Sequence, residues 1–131
     1  ADVTGNGTNY TVVWDSELWD QGNNFDLTTF TAPVTGKYQV DIMIRYGGLG
    51  AGHTAGITTI VTSNREYYSN YDPGSNRETS NNYSAHMSQL VDMDLNDTMT
   101  IKTYAAGSTL TVDLDGLTTN VATGFTCYLV H

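Results

Sequence analysis

The stretch from Tyr38 to Tyr46 constrains the chain more than any other, because Tyr38, Val40, Ile42, Ile44 and Tyr46 alternate with Gln39, Asp41, Met43 and Arg45. A period of two sets the apolar group on one face of an extended strand and the other group on the opposite face. The rest of the chain offers partners of the same kind. Thr, Asn and Ser make up roughly 30% of it, while Leu, Ala, Glu and Lys are scarce, so pleated, turn-rich structure is favoured over helices.

Further strands are expected at Tyr10 to Trp14, Phe25 to Thr31, Ile57 to Thr62, Ser84 to Val91, Thr98 to Tyr104, Thr109 to Leu114 and Val121 to Val130. Turn signals separate them at Pro33, Thr35-Gly36, Gly47 to Gly52, Asn96-Asp97, Gly107-Ser108 and Asp115-Gly116. The polar, tyrosine-bearing stretch from Ser63 to Tyr83, with Pro73-Gly74 inside it, reads as a long loop. Eight to ten short strands with tight turns describe a sandwich or jelly roll. No repeat or low-complexity tail interrupts the pattern, so residues 1–131 are expected to form one domain, with Ala1 a boundary inside a longer protein.

Charge narrows the partners. A formal net charge of −9 with only five Lys and Arg leaves no basic patch for a phosphate backbone, which excludes nucleic acid. Charged residues are 15% of the chain, so hydroxyls and amides must make the surface polar, as suits an extracellular or virion setting. No apolar run approaches the ~20 residues of a membrane helix, and membrane insertion is not expected. The lone cysteine, Cys127, forbids an internal disulfide, so stability must come from burial and subunit contacts.

The end strands point beyond a monomer. Phe125, Cys127 and Leu129 fall on one side of the last strand and Tyr128 and Val130 on the other, so both faces are apolar. Val13 likewise opposes the Tyr10, Val12, Trp14 face of the first strand. A sandwich strand greasy on both faces needs a second cover, and a neighbouring subunit supplies it. The interface candidates are therefore Tyr10, Val13, Phe125, Cys127, Tyr128 and Leu129, with plain exposure of Val13 and Val130 as the alternative.

Little suggests catalysis. Gly50-Ala51-Gly52-His53-Thr54-Ala55 matches a dinucleotide-binding glycine pattern by letter, but no amphipathic helix follows. His53, His86 and His131 are scattered and read as surface or loop residues. No nucleophile elbow or flanking carboxylate pair is recognisable, so neither an enzyme nor a cofactor is expected. Asp92 and Asp94 could offer oxygens to calcium, although their spacing fits no defined loop. Tyr67, Tyr68, Tyr71, Arg77 and Tyr83 form the candidate recognition surface, since aromatic rings give contact area at low entropic cost.

The run Trp14, Asp20, Phe25, Phe30, Gly36, Tyr38, written FTAPVTGKY from Phe30 to Tyr38, resembles the signature of the C1q globular head. In that signature an aromatic is followed by Asn or Asp six residues on, an aromatic five further, then Phe, then Gly-x-Tyr six after the Phe. The ending Phe125-Thr126-Cys127-Tyr128-Leu129-Val130 resembles the closing strand of the family, and Leu95-Asn96-Asp97-Thr98 its turn before a late strand. The Phe25 to Phe30 gap is two residues short, Val40 and Ile42 replace aromatics, and Cys127 replaces glycine, which marks a distant member. The opening TGNGTNYTVVWDSE looks like the heads at the ends of bacteriophage fibres and bacterial surface proteins.

The resemblance implies an all-β, ten-strand antiparallel jelly-roll sandwich of C1q/TNF type. It also implies a homotrimer without catalytic activity that binds a host-surface glycan or protein receptor. An adhesion or receptor-binding head at a fibre or stalk tip is the leading expectation. A structural trimerisation cap or capsid decoration domain is the alternative, and a surface-polysaccharide enzyme comes last.

Overall fold

The computed structural model describes residues 1–18, 20–116 and 120–130. They form nine strands: β1 (Tyr10–Thr11), β2 (Phe30–Thr31), β3 (Gly36–Gly47), β4 (Ala55–Thr62), β5 (Glu66–Tyr71), β6 (Tyr83–Met93), β7 (Thr98–Ala106), β8 (Asp113–Leu114) and β9 (Gly124–Val130). His131 lies outside the described residues.

Two antiparallel sheets face each other. In one, β4 lies between β5 and β7, and the far edge of β7 is shared by the short β1 and β2. In the other, β3 is central, with β6 along its whole length on one edge and β9 and β8 sharing the other. The expected ten strands are nine among the described residues.

β3 behaves as its alternation demands. Tyr38, Val40, Ile42, Ile44 and Tyr46 are all at most 3% exposed and meet Ile60 of β4 and Met99, Ile101 and Ala105 of β7 in the core. Burying side chains of this size contributes about 1.5–3 kcal/mol each, which makes the β3 face the largest single block of the core.

The motif residues converge. Trp14 and Phe25 both pack on Phe125, with ring centroids 4.9 and 5.1 Å away, while Asp20 accepts the Phe25 N–H at 3.1 Å and fixes the approach. Phe30 meets Tyr38 edge-on at 5.5 Å, and the Tyr38 hydroxyl donates to the Val34 carbonyl at 2.7 Å, tying the turn to the strand that follows. Gly36 does not take a positive φ; a Cβ there would stand 2.8 Å from Leu129 Cδ1 on β9, and that terminal methyl would have to shift.

The strand expected at Tyr10 to Trp14 shortens to the two residues of β1, and three other expected elements differ. Phe25 to Thr31 is not one strand, because the Asp26 carboxylate accepts the Thr28 and Thr29 N–H groups at 3.1 and 2.7 Å and bends the chain, with Leu27 at φ 72°. Only a Phe25–Phe30 bridge and β2 remain. Thr109 to Leu114 shrinks to β8 and a Thr4–Val112 bridge. Conversely, Ser63 to Tyr83 is not all loop, since it holds β5. A tight turn starts that strand: Thr62 N–H donates to the Arg65 carbonyl at 2.9 Å, and Thr62 Oγ1 accepts the Arg65 N–H.

His53 is the other correction. It is fully buried, not a surface residue, with Nδ1 accepting the Gly50 N–H at 2.8 Å and Nε2 donating to the Leu110 carbonyl at 2.9 Å. The glycine-rich segment is thus a turn wrapped on an imidazole.

Candidate functional site

Antiparallel register arranges the outer face of the β6, β3, β9 sheet in rows. Lys37 lies between Asp92 and Val130, Gln39 between Leu90 and Tyr128, and Asp41 between Ser88 and Thr126. Tyr128 is 57% exposed, Leu90 44% and Val130 43%, so three large apolar groups share two adjacent rows in solvent. Gln39 Nε2 and Asp41 are both held by Ser88 Oγ, at 2.8 and 2.6 Å, which stiffens the polar seam beside them. β9 pairs only with β3, and its other edge meets no strand among the described residues.

The six interface candidates are divided by this register. Phe125, Cys127 and Leu129 oppose Ile42, Val40 and Tyr38 and pack against the core. Tyr10 also packs inward, from the edge of the other sheet. Tyr128 points outward, and Val13 is exposed beyond β1. Burial pushes the Cys127 thiol up to about 12, so it stays a protonated, weakly nucleophilic group.

The five recognition candidates do not form one surface. Tyr68, 65% exposed, stands on the outer face of the five-stranded sheet opposite Thr59. Tyr67 and Tyr71 point the other way, toward the core edge. Tyr83 stacks on Tyr71 with ring centroids 5.6 Å apart. Arg77 donates to the Gly74 carbonyl and to Asn81 Oδ1, so it holds its own loop together.

Tyr71 belongs to a buried hydroxyl cluster invisible in the sequence. Its hydroxyl lies 2.6 Å from that of Tyr46 and 2.7 Å from Thr58 Oγ1, and Tyr46 also bonds to Thr103 Oγ1. Burial is the main cause that raises the Tyr46 and Tyr71 pKa values, so both phenols stay neutral. The cluster satisfies polar atoms between the sheets, and among the described residues its hydrogen-bond partners include no carboxylate or imidazole to activate a hydroxyl.

Asp92 does not fit a calcium role within this chain. Its Oδ1 accepts from the Tyr67 hydroxyl at 2.8 Å and its Oδ2 faces Arg65 at 3.2 Å. Asp94 is exposed in the following turn, where its N–H is bonded by Asp97. Among the described residues no group of three or more His, Cys, Asp or Glu stands close enough to hold a metal ion. No helix of the structure is long and apolar enough to cross a membrane.

One end of the sandwich carries a cleft that sequence reasoning missed. Arg45 of β3 and Ser84 of β6 lie opposite each other at its floor, and Asn76, Glu78 and Asn82 of the 72–82 loop form its wall with Tyr83. Five of these six residues lie between positions 76 and 84, and the β3–β6 register brings Arg45, 39 positions before Ser84, against them.

Such an architecture is a two-sheet β-sandwich of jelly-roll type. The globular domain of zebrafish complement 1qA protein is similar to it, with a TM-score of 0.61 and 14% identity, covering 98% of this chain and 90% of that one. The likeness is therefore one of fold, the C1q/TNF-like jelly roll expected from the motif residues. No protein-family model matches the chain, and no curated protein sequence matches it.

Proposed function

We propose that the chain is a non-catalytic, self-associating head that presents binding surfaces from a homotrimer. The observation that carries this reading is the exposure of Tyr128, Leu90 and Val130 in adjacent rows of one sheet. Apolar groups of this size, side by side on a sheet face, gain by being covered, and a second copy of the chain offers a matching surface. A hydroxyl- and amide-rich exterior supports a setting outside the cell or on a virion. In that setting the domain is the head of a longer fibre or stalk protein, engaged in adhesion or receptor binding.

Light scattering on the purified chain tests this reading. A mass three times 14.3 kDa supports it, and a mass of 14.3 kDa across the accessible concentration range overturns it.

A purely structural cap that closes a trimeric stem or decorates a capsid is the second reading. The way Arg77 spends its guanidinium on Gly74 and Asn81 inside the 72–82 loop favours it, because that cation is then not offered to a ligand. Under that reading, surface substitutions in the loop leave every interaction of the assembly unchanged.

A further inference from the structure

We propose that the cleft between Arg45, Ser84 and the 72–82 loop is a binding site for a neutral saccharide. The inference rests on the reading of the chain as a binding head and names the class of ligand it takes.

Size and rigidity come first. The cleft measures about 370 Å³, within the ~300–1,000 Å³ of small-ligand sites. Its wall is set in advance. Asp72 Oδ1 accepts the Ser75 N–H at 2.9 Å, Asn76 Nδ2 donates to the Asp72 carbonyl at 2.7 Å, and Glu78 N–H donates to the Asn82 carbonyl at 2.9 Å. Two bonds pin the loop to the 47–54 segment: Gly74 N–H to the His53 carbonyl at 2.7 Å, and Leu49 N–H to the Asn81 carbonyl at 3.0 Å. Gly74 sits so close that a Cβ would lie 2.7 Å from the Gly50 oxygen, so only glycine allows this docking. A ligand meeting such a wall orders little that is not already ordered.

The hydrogen-bonding inventory then selects the ligand. Asn76 commits one N–H of its side-chain amide to the Asp72 carbonyl, and Asn82 commits one of its own to Glu78 Oε1 at 2.8 Å. Both amide oxygens, the second Glu78 oxygen and the Ser84 hydroxyl have no partner among the described residues, and their residues line the same cleft. Acceptors thus stand beside donors: the guanidinium N–H groups of Arg45, the Ser84 hydroxyl and the second N–H of each amide. Adjacent sugar hydroxyls, each of which both donates and accepts, match that mixture.

Charge excludes the obvious competitors. Arg45 lies 4.0 Å from Glu78 and 3.5 Å from Asp115, so its positive charge is more than balanced. On a chain of net charge −9 this cleft repels phosphates, sialosides and other anions. An uncharged polyhydroxyl ring is what remains.

The test is an NMR titration of the isotope-labelled full chain with methyl glycosides of neutral hexoses and N-acetylhexosamines, and separately with the methyl glycoside of N-acetylneuraminic acid. Saturable shifts at the Asn76 and Asn82 side-chain amides with a neutral glycoside are expected. Ser84→Ala should weaken them by about fivefold with an unchanged melting temperature, since its hydroxyl serves no internal bond. Shifts with the anionic glycoside alone, shifts confined to other residues, or no shifts at all each overturn the proposal. The light-scattering mass is read independently, so a monomer that binds the sugar defeats the trimer and keeps the cleft, and a trimer that ignores it does the reverse.

Discussion

The Tyr67 hydroxyl donates a 2.8 Å hydrogen bond to Asp92 Oδ1, and this contact joins β5 of one sheet to β6 of the other. Arg65 closes on the second carboxylate oxygen at 3.2 Å, so both oxygens of Asp92 are engaged across one side of the sandwich. The bond from Tyr67 is the main cause that lowers the Asp92 pKa. On the tyrosine side, burial comes first and the acceptor second, and both raise its pKa. Tyr67→Phe keeps the ring and deletes the latch, so the melting temperature should fall at neutral pH. NMR titration should find the Asp92 carboxyl back near its ordinary value.

Acid should loosen the fold through the same chemistry. Asp26 is held low by the Thr29 and Thr28 N–H groups, and Asp92 by Tyr67. For Asp20 burial opposes the shift, but several backbone N–H groups outweigh it. Each is depressed in the folded state, so the unfolded chain takes up protons first as pH falls. Their stabilisation is present above the ordinary carboxylate value of 3.8 and is lost as pH drops through the folded values. Melting curves from neutral pH downward should show this loss. Asp26→Asn, which keeps an acceptor but does not titrate, should make the acid decline shallower.

How much of this was legible in the sequence depends on whether the signal was local. The β3 alternation and the Phe125 to Val130 ending are periodic, and the structure keeps both as strands. The Trp14, Asp20, Phe25, Phe30, Gly36, Tyr38 spacing was readable as a pattern, but its reason, contact with Phe125 and Leu129, lies about a hundred residues away. β5 was hidden because its inward residues are tyrosines and a serine, which resemble loop composition until Thr58 and Thr103 are seen to receive the Tyr71 hydroxyl. Asp26 produced the opposite error, since a single carboxylate capping two N–H groups broke a segment that looked continuous. Of the cleft at Arg45 only Tyr83 stood among the sequence candidates, because the β3–β6 register is what sets Arg45 against Ser84.

The buried hydroxyl cluster should be cooperative. Tyr46→Phe removes the central oxygen, yet Thr103 Oγ1 still donates to the Ile57 carbonyl at 3.0 Å and Tyr71 still reaches Thr58. A cost of about 1–2 kcal/mol is expected for Tyr46→Phe, and a similar cost for Thr103→Val. Since the two remove ends of one bond, the double variant should cost less than the two together. Urea unfolding of the four proteins measures the coupling.

Cys127 should be a silent thiol while the chain is folded. Burial raises it from 9.0 to about 12, so the folded form favours the neutral group that an alkylating reagent attacks slowly. The stability linked to it is full below pH 9.0 and is lost as pH rises through about 12. Iodoacetamide at mildly alkaline pH should label the native chain far more slowly than the chain in denaturant. Equal labelling rates would place the thiol in solvent.

Neighbouring residues on β9 separate self-association from folding. Leu129 opposes Tyr38 and crowds Gly36, so it belongs to the core, whereas Tyr128 opposes Gln39 and is 57% exposed. Leu129→Lys forces an ammonium into apolar surroundings and should cost several kcal/mol, on the order of 2–5, enough to unfold a marginal domain. Tyr128→Lys stands mostly in solvent in a single chain, so circular dichroism should report an intact sheet. The same ammonium placed between two copies would be desolvated without a partner, and light scattering should then show the mass falling to that of one chain. Should Tyr128→Lys retain a trimer, the face carrying Tyr128, Leu90 and Val130 would not be the contact, and the strand edge of β9 would be the next surface to probe.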